Sequence, residues 1–206
     1  MATLRGLRTL RSRSGAVAGK VRSAAPLQLR DLAHSLPVRP DVVLYEAYGG
    51  RGVLCHPEAL FRGLLRAPDL AHLTHVWVLG DREANAAVVE ELRDHPRVRF
   101  VRPGTAAYIR HLATAGYLVN NATFPAGFGK RDGQVYLNTW HGTPLKAMGY
   151  DEPEGLVATR NVVRNLLMAD YLLTSGEYMT RRMYEGAYRL TNLFAGEVID
   201  EGGPRR

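Results

Sequence analysis

The sequence predicts an α/β fold, a Rossmann-like open parallel sheet, and three features carry that expectation. Short apolar runs recur from residue 42 to residue 199, helical patterns lie between them, and polar or glycine-rich segments follow most of them. Antiparallel strands with one wet face alternate apolar and polar residues, whereas parallel strands covered on both faces stay apolar throughout. The runs here are of the second kind. Their alternation with helices is the order that a parallel sheet requires.

The elements follow in sequence. Val42-Val43-Leu44-Tyr45 opens the series, and a helix is expected over 57–66, where Pro57 suits a first turn because its missing N–H has no partner to lose. His75-Val76-Trp77-Val78-Leu79 and Val98-Arg99-Phe100-Val101 are the next strands, with a helix over 83–94 between them. A helix over 105–115 leads to Tyr117-Leu118-Val119, and Val135-Tyr136-Leu137 follows. Helices over 155–168 and 176–189 flank Tyr171-Leu172-Leu173, and Glu197-Val198-Ile199 closes the set. Ligands of such sheets bind beyond the carboxyl ends of the strands. That directs attention to the loops after Tyr45, Leu79, Val119, Leu137 and Leu173.

At 206 residues the chain suits one domain with an extension. We expect residues 1–40 to be a basic N-terminal extension and linker, punctuated by Pro26, Pro37 and Pro40, and residues 41–206 to be the folded domain. The net charge of +7 belongs to the extension: residues 1–30 hold seven basic groups and no acidic one, leaving twenty of each sign for the rest. A nucleic-acid footprint would spread over a domain face, so no nucleic-acid partner is expected. Leu4, Leu7, Leu10, Val17 and Val21 stand near helical spacing among the arginines, which suits an amphipathic helix on an anionic membrane surface. A solvated tail and a targeting segment share that composition.

Cys55 is the only cysteine, so an internal disulfide is excluded, and no histidine cluster stands at ligand spacing. No cofactor or metal is expected. No stretch approaches the roughly 18 apolar residues that span a bilayer. A cytoplasmic protein, peripheral at the inner face of the cell membrane if the extension docks there, is the expected location.

The most specific chemistry lies directly after the strand at 135–137, in Asn138-Thr139-Trp140-His141-Gly142-Thr143-Pro144-Leu145-Lys146. An imidazole accepts a proton near neutral pH. Thr143 followed by Pro144 suits the N-cap and first position of a short helix, whose free N–H groups would hold a phosphate. Lys146 would add a point charge one turn on, and Gly142 allows close approach. A base beside an anion cradle is what transfer of a phosphate-bearing group to an alcohol requires. The bland alternative is a capped turn whose histidine satisfies a carbonyl.

Other polar features are less specific. Asn120 and Asn121 end a buried strand on the ligand side, where asparagines either touch a ligand or bridge loop backbones. Residues 48–52 read in one of two ways, as a phosphate-binding loop, though without G-x-G-x-x-G spacing, or as a tight turn that glycine permits. Arg160 and Arg164 share a helix face, either solvated or turned to an anionic ligand.

The segment from Gln134 to Lys146 resembles the signature of the CDP-glycerol glycerophosphotransferase family, of the teichoic-acid polymerase kind. Tyr45-Glu46-Ala47-Tyr48-Gly49-Gly50-Arg51-Gly52, His56-Pro57-Glu58-Ala59-Leu60, Asn120-Asn121-Ala122-Thr123-Phe124-Pro125, Ser175-Gly176-Glu177-Tyr178 and Gly202-Gly203-Pro204-Arg205 resemble its other landmarks in order. The likeness covers about residues 42–206.

The resemblance implies the first, acceptor-side domain of a two-domain GT-B arrangement, with Gly203-Pro204-Arg205 at the entrance to a donor-binding domain that this sequence does not include. It implies His141 as the base that deprotonates a glycerol hydroxyl for attack on CDP-glycerol with release of CMP. Gly142, Thr143, Lys146 and Asn121 are then the phosphate- and acceptor-binding residues. The implied partners are CDP-glycerol, bound mainly by the other domain, and a glycerol phosphate polymer or lipid-linked primer. Two other readings stand beside it: a docking module for anionic membrane or polymer, and half of a GT-B glycosyltransferase using a nucleotide sugar. On its own, the chain is expected to be inactive.

Overall fold

A computed structural model describes residues 29–153 and 155–204 of the chain. Its strands are β1 (Arg39–Glu46), β2 (Thr74–Val78), β3 (Val98–Val101), β4 (Ala115–Asn120), β5 (Val135–Asn138), β6 (Tyr171–Leu173) and β7 (Glu197–Ile199). They form a single sheet in the order β3-β2-β1-β4-β5-β6-β7, and every pair is parallel. The expected fold class is therefore the one observed. The chain winds outward from β1 to β3, then crosses back through a helix to lay β4 on the other side of β1. That reversal creates a crevice at the carboxyl ends of β1 and β4.

The helices are α1 (Cys55–Arg66), α2 (Ala86–Leu92), α3 (Ala106–Thr114), α4 (Gly155–Met168) and α5 (Glu177–Met179), the last running on as a π-helical segment over Thr180–Ala187. Alternation along each strand sorts side chains to two faces. Val42 and Leu44 of β1 pack with Tyr108, Leu112, Leu166, Met183 and Tyr184 from α3, α4 and the π segment. Val43 and Tyr45 point the other way, to Phe61 of α1 and Leu92 of α2. An edge-on ring contact between Tyr45 and Phe61, with centroids 5.5 Å apart, fixes α1 against β1.

Coverage of the second face is partial. Tyr117, Val135 and Tyr171, one each from β4, β5 and β6, keep 41%, 37% and 36% of their surface exposed, although their apolar character suggests strands buried on both sides. Helices α1 and α2 lie over the β1 side of that face, and the outer strands form the wall of an apolar groove with Leu60 and Leu64.

Local chemistry explains several boundaries. Thr105 caps α3 by accepting the Tyr108 N–H at 3.3 Å. Arg62 of α1 bonds Glu58 at 2.8 Å and Glu91 of α2 at 2.7 Å, bracing the two helices. Asn165, fully buried in α4, accepts the Phe124 N–H at 2.8 Å and so pins the loop after β4. Strand β1 begins at Arg39, and a helical stretch over 29–34 precedes it, tied to the body where Arg30 donates to the Gly127 carbonyl. Of the basic amphipathic segment read from residues 1–30, residues 1–28 lie outside the described residues.

Candidate functional site

Three strands end in polar residues at one level. Glu46, Asn120 and Asn138 are register partners across β1, β4 and β5, all on the face covered by α3 and α4, and all buried. Each has work to do there. Tyr108 donates its hydroxyl to Glu46 at 2.8 Å. Asn138 donates to the Ala122 carbonyl at 2.9 Å and accepts the Trp140 N–H at 2.9 Å. Asn120 accepts the Ala122 N–H. Burial pushes the Glu46 carboxyl up to about 7, against the opposing pull of the Tyr108 hydrogen bond.

Two loops rise from this level and meet. In the first, Ala47 accepts the N–H groups of Gly50 at 3.0 Å and Arg51 at 3.1 Å. Tyr48, Gly49 and Gly50 take φ values of 47°, 68° and 87° within that turn. A Cβ on Gly50 would come 2.8 Å from the Pro103 ring, so glycine serves a tight turn here, which is the second of the two readings of residues 48–52. The Asn121 side chain accepts the Tyr48 N–H at 2.9 Å.

The second loop follows β5 and carries His141. Its imidazole stacks on Trp140 with centroids 4.6 Å apart and meets the Tyr48 ring at 5.3 Å. Half burial holds its pKa below the ordinary imidazole range, so the ring is neutral and able to accept a proton at pH 7.

The residues after His141 depart from expectation. No helix starts at Thr143-Pro144; residues 143–148 run irregularly to a short 3-10 turn, Gly149–Asp151. Opening a helix fixes several residues for a single hydrogen bond, and this stretch between two glycines is too short to repay that. The Thr143 hydroxyl instead lies 3.4 Å from Ser175 Oγ in the loop after β6. A helix N-terminus is thus not what this segment offers an anion.

Lys146 lines a polar groove of about 420 Å³ with Asp151, Tyr178 and Arg182. Arg182 went unread in the sequence, because its place in that groove depends on the π segment that carries it. Gly142 is half buried with open space at its Cα, and Thr143 is exposed. Asn121 is buried beneath Tyr48, and its Nδ2 has no hydrogen-bond partner among the described residues. Arg164 is committed to the Phe128 and Pro125 carbonyls, which removes it from the candidates for ligand contact. Cys55 is buried, with its sulfur 3.5 Å from the Tyr48 hydroxyl. Among the described residues no group of three or more His, Cys, Asp or Glu could hold a metal ion. Among them also, no helix is long and apolar enough to cross a membrane.

An all-parallel sheet that reverses its winding between β1 and β4, with His141 on the loop after the neighbouring β5, defines a Rossmann-like α/β domain. Residues 28–206 match the family model described as CDP-Glycerol:Poly(glycerophosphate) glycerophosphotransferase, and the chain belongs to that family. It is 29% identical over 177 residues to the teichoic acid poly(glycerol phosphate) polymerase of Bacillus spizizenii strain W23, covering 82% of this chain and 42% of that protein. The Staphylococcus epidermidis protein of the same name is 25% identical over 175 residues, with coverage of 82% and 22%. Among solved structures, the wall teichoic acid polymerase TagF shares the fold, with a TM-score of 0.71 and 22% identity over 100% of this chain and 49% of that one. A TagF variant soaked with CDPG gives a TM-score of 0.74 at 22% identity, covering 97% and 48%. The chain spans less than half the length of these relatives.

Proposed function

We propose that this chain supplies the acceptor side and the general base of a glycerophosphotransferase. In the reaction, glycerol phosphate moves from CDP-glycerol to a glycerol hydroxyl of a teichoic-acid-type acceptor, and CMP leaves. The observation that carries the reading is His141, a neutral, half-buried imidazole held by two aromatic rings at the ligand end of the sheet. His141 takes the hydroxyl proton as the acceptor oxygen bonds to the glycerol-bearing phosphorus. The bond from that phosphorus to the CMP oxygen breaks, and CMP carries away the electron pair.

The remaining roles follow from position. Lys146 attracts phosphate charge in its groove, with Gly142 and Thr143 leading the chain from the base toward it. Asn121 offers its unpartnered Nδ2 to an acceptor oxygen. Donor contacts belong mainly to residues outside this Rossmann-like domain, and residues 1–30 place the enzyme on the anionic inner face of the membrane.

Replacement of His141 by alanine in an enzyme of the full family length tests the assignment. Near-complete loss of CMP release with an unchanged melting temperature is expected. Release near the parental rate would overturn it.

A further inference from the structure

Backbone conformations near His141 are unusual. Tyr48, Cys55 and Trp140 have φ values of 47°, 65° and 49°, in the left-handed region that side chains with a Cβ rarely occupy. Such conformations persist only where the surroundings impose them, and they gather at functional sites. All three are linked here. Trp140 stacks on the imidazole, Tyr48 meets it from another loop, and Cys55 receives the Tyr48 hydroxyl.

Two of these backbones are bonded by asparagine side chains. Asn121 accepts the N–H of Tyr48 and Asn138 accepts the N–H of Trp140, each at 2.9 Å. Both asparagines are buried; Asn138 is the last residue of β5, and Asn121 directly follows Asn120, the last residue of the adjacent β4. The sheet thereby sets the angle of each aromatic residue, and the rings set the plane of the imidazole. Tyr48 is held at both ends, by its N–H and by its hydroxyl.

We infer that Tyr48 is a positioning residue for His141, its ring and that of Trp140 fixing the imidazole plane while Asn121 and Asn138 lock the backbones of the two rings. A freely turning imidazole would present its basic nitrogen to the acceptor only part of the time. Misalignment of a reacting group is costly in rate even where binding is untouched. The role for Asn121 is compatible with a ligand contact, because the bond to Tyr48 uses Oδ1 and leaves Nδ2. The catalytic meaning rests on His141 being the base; the geometric claim does not.

The test follows the His141 ring by NMR in this chain with labelled histidine, its signals assigned by their loss in His141→Gln. Tyr48→Phe keeps the ring and should leave the His141 resonances and protonation midpoint in place. Tyr48→Leu removes the ring and should shift the resonances and raise the midpoint by about half a unit or more as the imidazole gains solvent. Asn121→Leu, which leaves the Tyr48 ring present but frees its backbone N–H from its side-chain acceptor, should displace the same resonances and serves if Tyr48→Leu does not fold. A folded Tyr48→Leu or Asn121→Leu chain with His141 signals and midpoint unchanged would overturn the inference. In the family-length enzyme, Tyr48→Leu should lower kcat with little change in acceptor KM. Retained transfer in His141→Ala would sink the functional reading alone, leaving the NMR outcome to judge Tyr48.

Discussion

The Tyr108 hydroxyl donates to the Glu46 carboxylate across 2.8 Å of buried space, joining α3 to the last residue of β1. Burial raises the Glu46 pKa from 4.5 to about 7, so the folded protein keeps the proton over a range in which the unfolded chain has lost it.

The sign of the resulting pH dependence follows. Below pH 4.5 both states are protonated and the fold has its full stability from this group; between 4.5 and 7 the unfolded state alone ionises, and stability falls by up to about 3 kcal/mol. Glu46→Gln should remove most of this slope while keeping an acceptor for Tyr108. Urea melts at pH 4 and pH 7.5 would show the variant gaining on the parent only at the higher value.

His141 titrates below the ordinary imidazole value because burial disfavours its charged form. The acid limb of the transfer rate in the family-length enzyme should accordingly lie below about pH 6.5. A pH profile of kcat/KM checks this, and an acid limb above that value would contradict a neutral base.

Lys146 is exposed in a groove that also holds Arg182 and Asp151. Lys146→Ala should weaken binding of a glycerol phosphate oligomer by roughly three- to tenfold and make it less sensitive to salt. Calorimetric titration at two ionic strengths measures both.

Asp170 joins β5 to β6 by accepting the Tyr136 N–H at 2.7 Å while pairing with Lys130. Its loss strands a backbone donor, so Asp170→Ala should cost roughly 1–3 kcal/mol in chemical denaturation. Asp170→Asn, which keeps an acceptor, should cost less.

The parts of the fold legible in the sequence are those set by local pattern. Val98–Val101, Tyr171–Leu173, Glu197–Ile199 and Gly155–Met168 have the expected bounds, because apolar runs with polar or glycine borders leave little choice of period. The stretch at 176–189 is helical as expected, but after Glu177–Met179 it continues as a π-helix over Thr180–Ala187 rather than as an α-helix. There Tyr188 donates to the Met183 carbonyl five residues back at 2.9 Å, and the widened turn buries Met183, Tyr184, Ala187 and Tyr188 together. Only packing against β6, where Tyr184 donates to the Leu173 carbonyl, decides that.

The site divides in the same way. His141 stood out because an imidazole in the loop after β5 stands beside Gly142-Thr143-Pro144 and Lys146, and Asn121 because a polar residue at the end of an apolar strand points to the ligand end. Glu46 and Asn138 carried the same signal. The partnership of Tyr48 with His141 had none, since 93 positions separate loops that meet only once β1, β4 and β5 are in register. The helix expected at Thr143 failed for a related reason: its cap found a partner, Ser175, on another strand's loop.

The left-handed backbone at Tyr48 has an evolutionary corollary. Glycine there would relieve a strain of about 1 kcal/mol, but Tyr48→Gly would also remove a ring packed against the core cluster of Val53 and Phe61, so stability alone would not favour it. A search for hardier variants of this protein would therefore keep the ring that holds the imidazole, since the same packing serves the fold and the base. Tyrosine surviving there among relatives selected for heat tolerance would mark a position where packing and function together outweigh conformational ease.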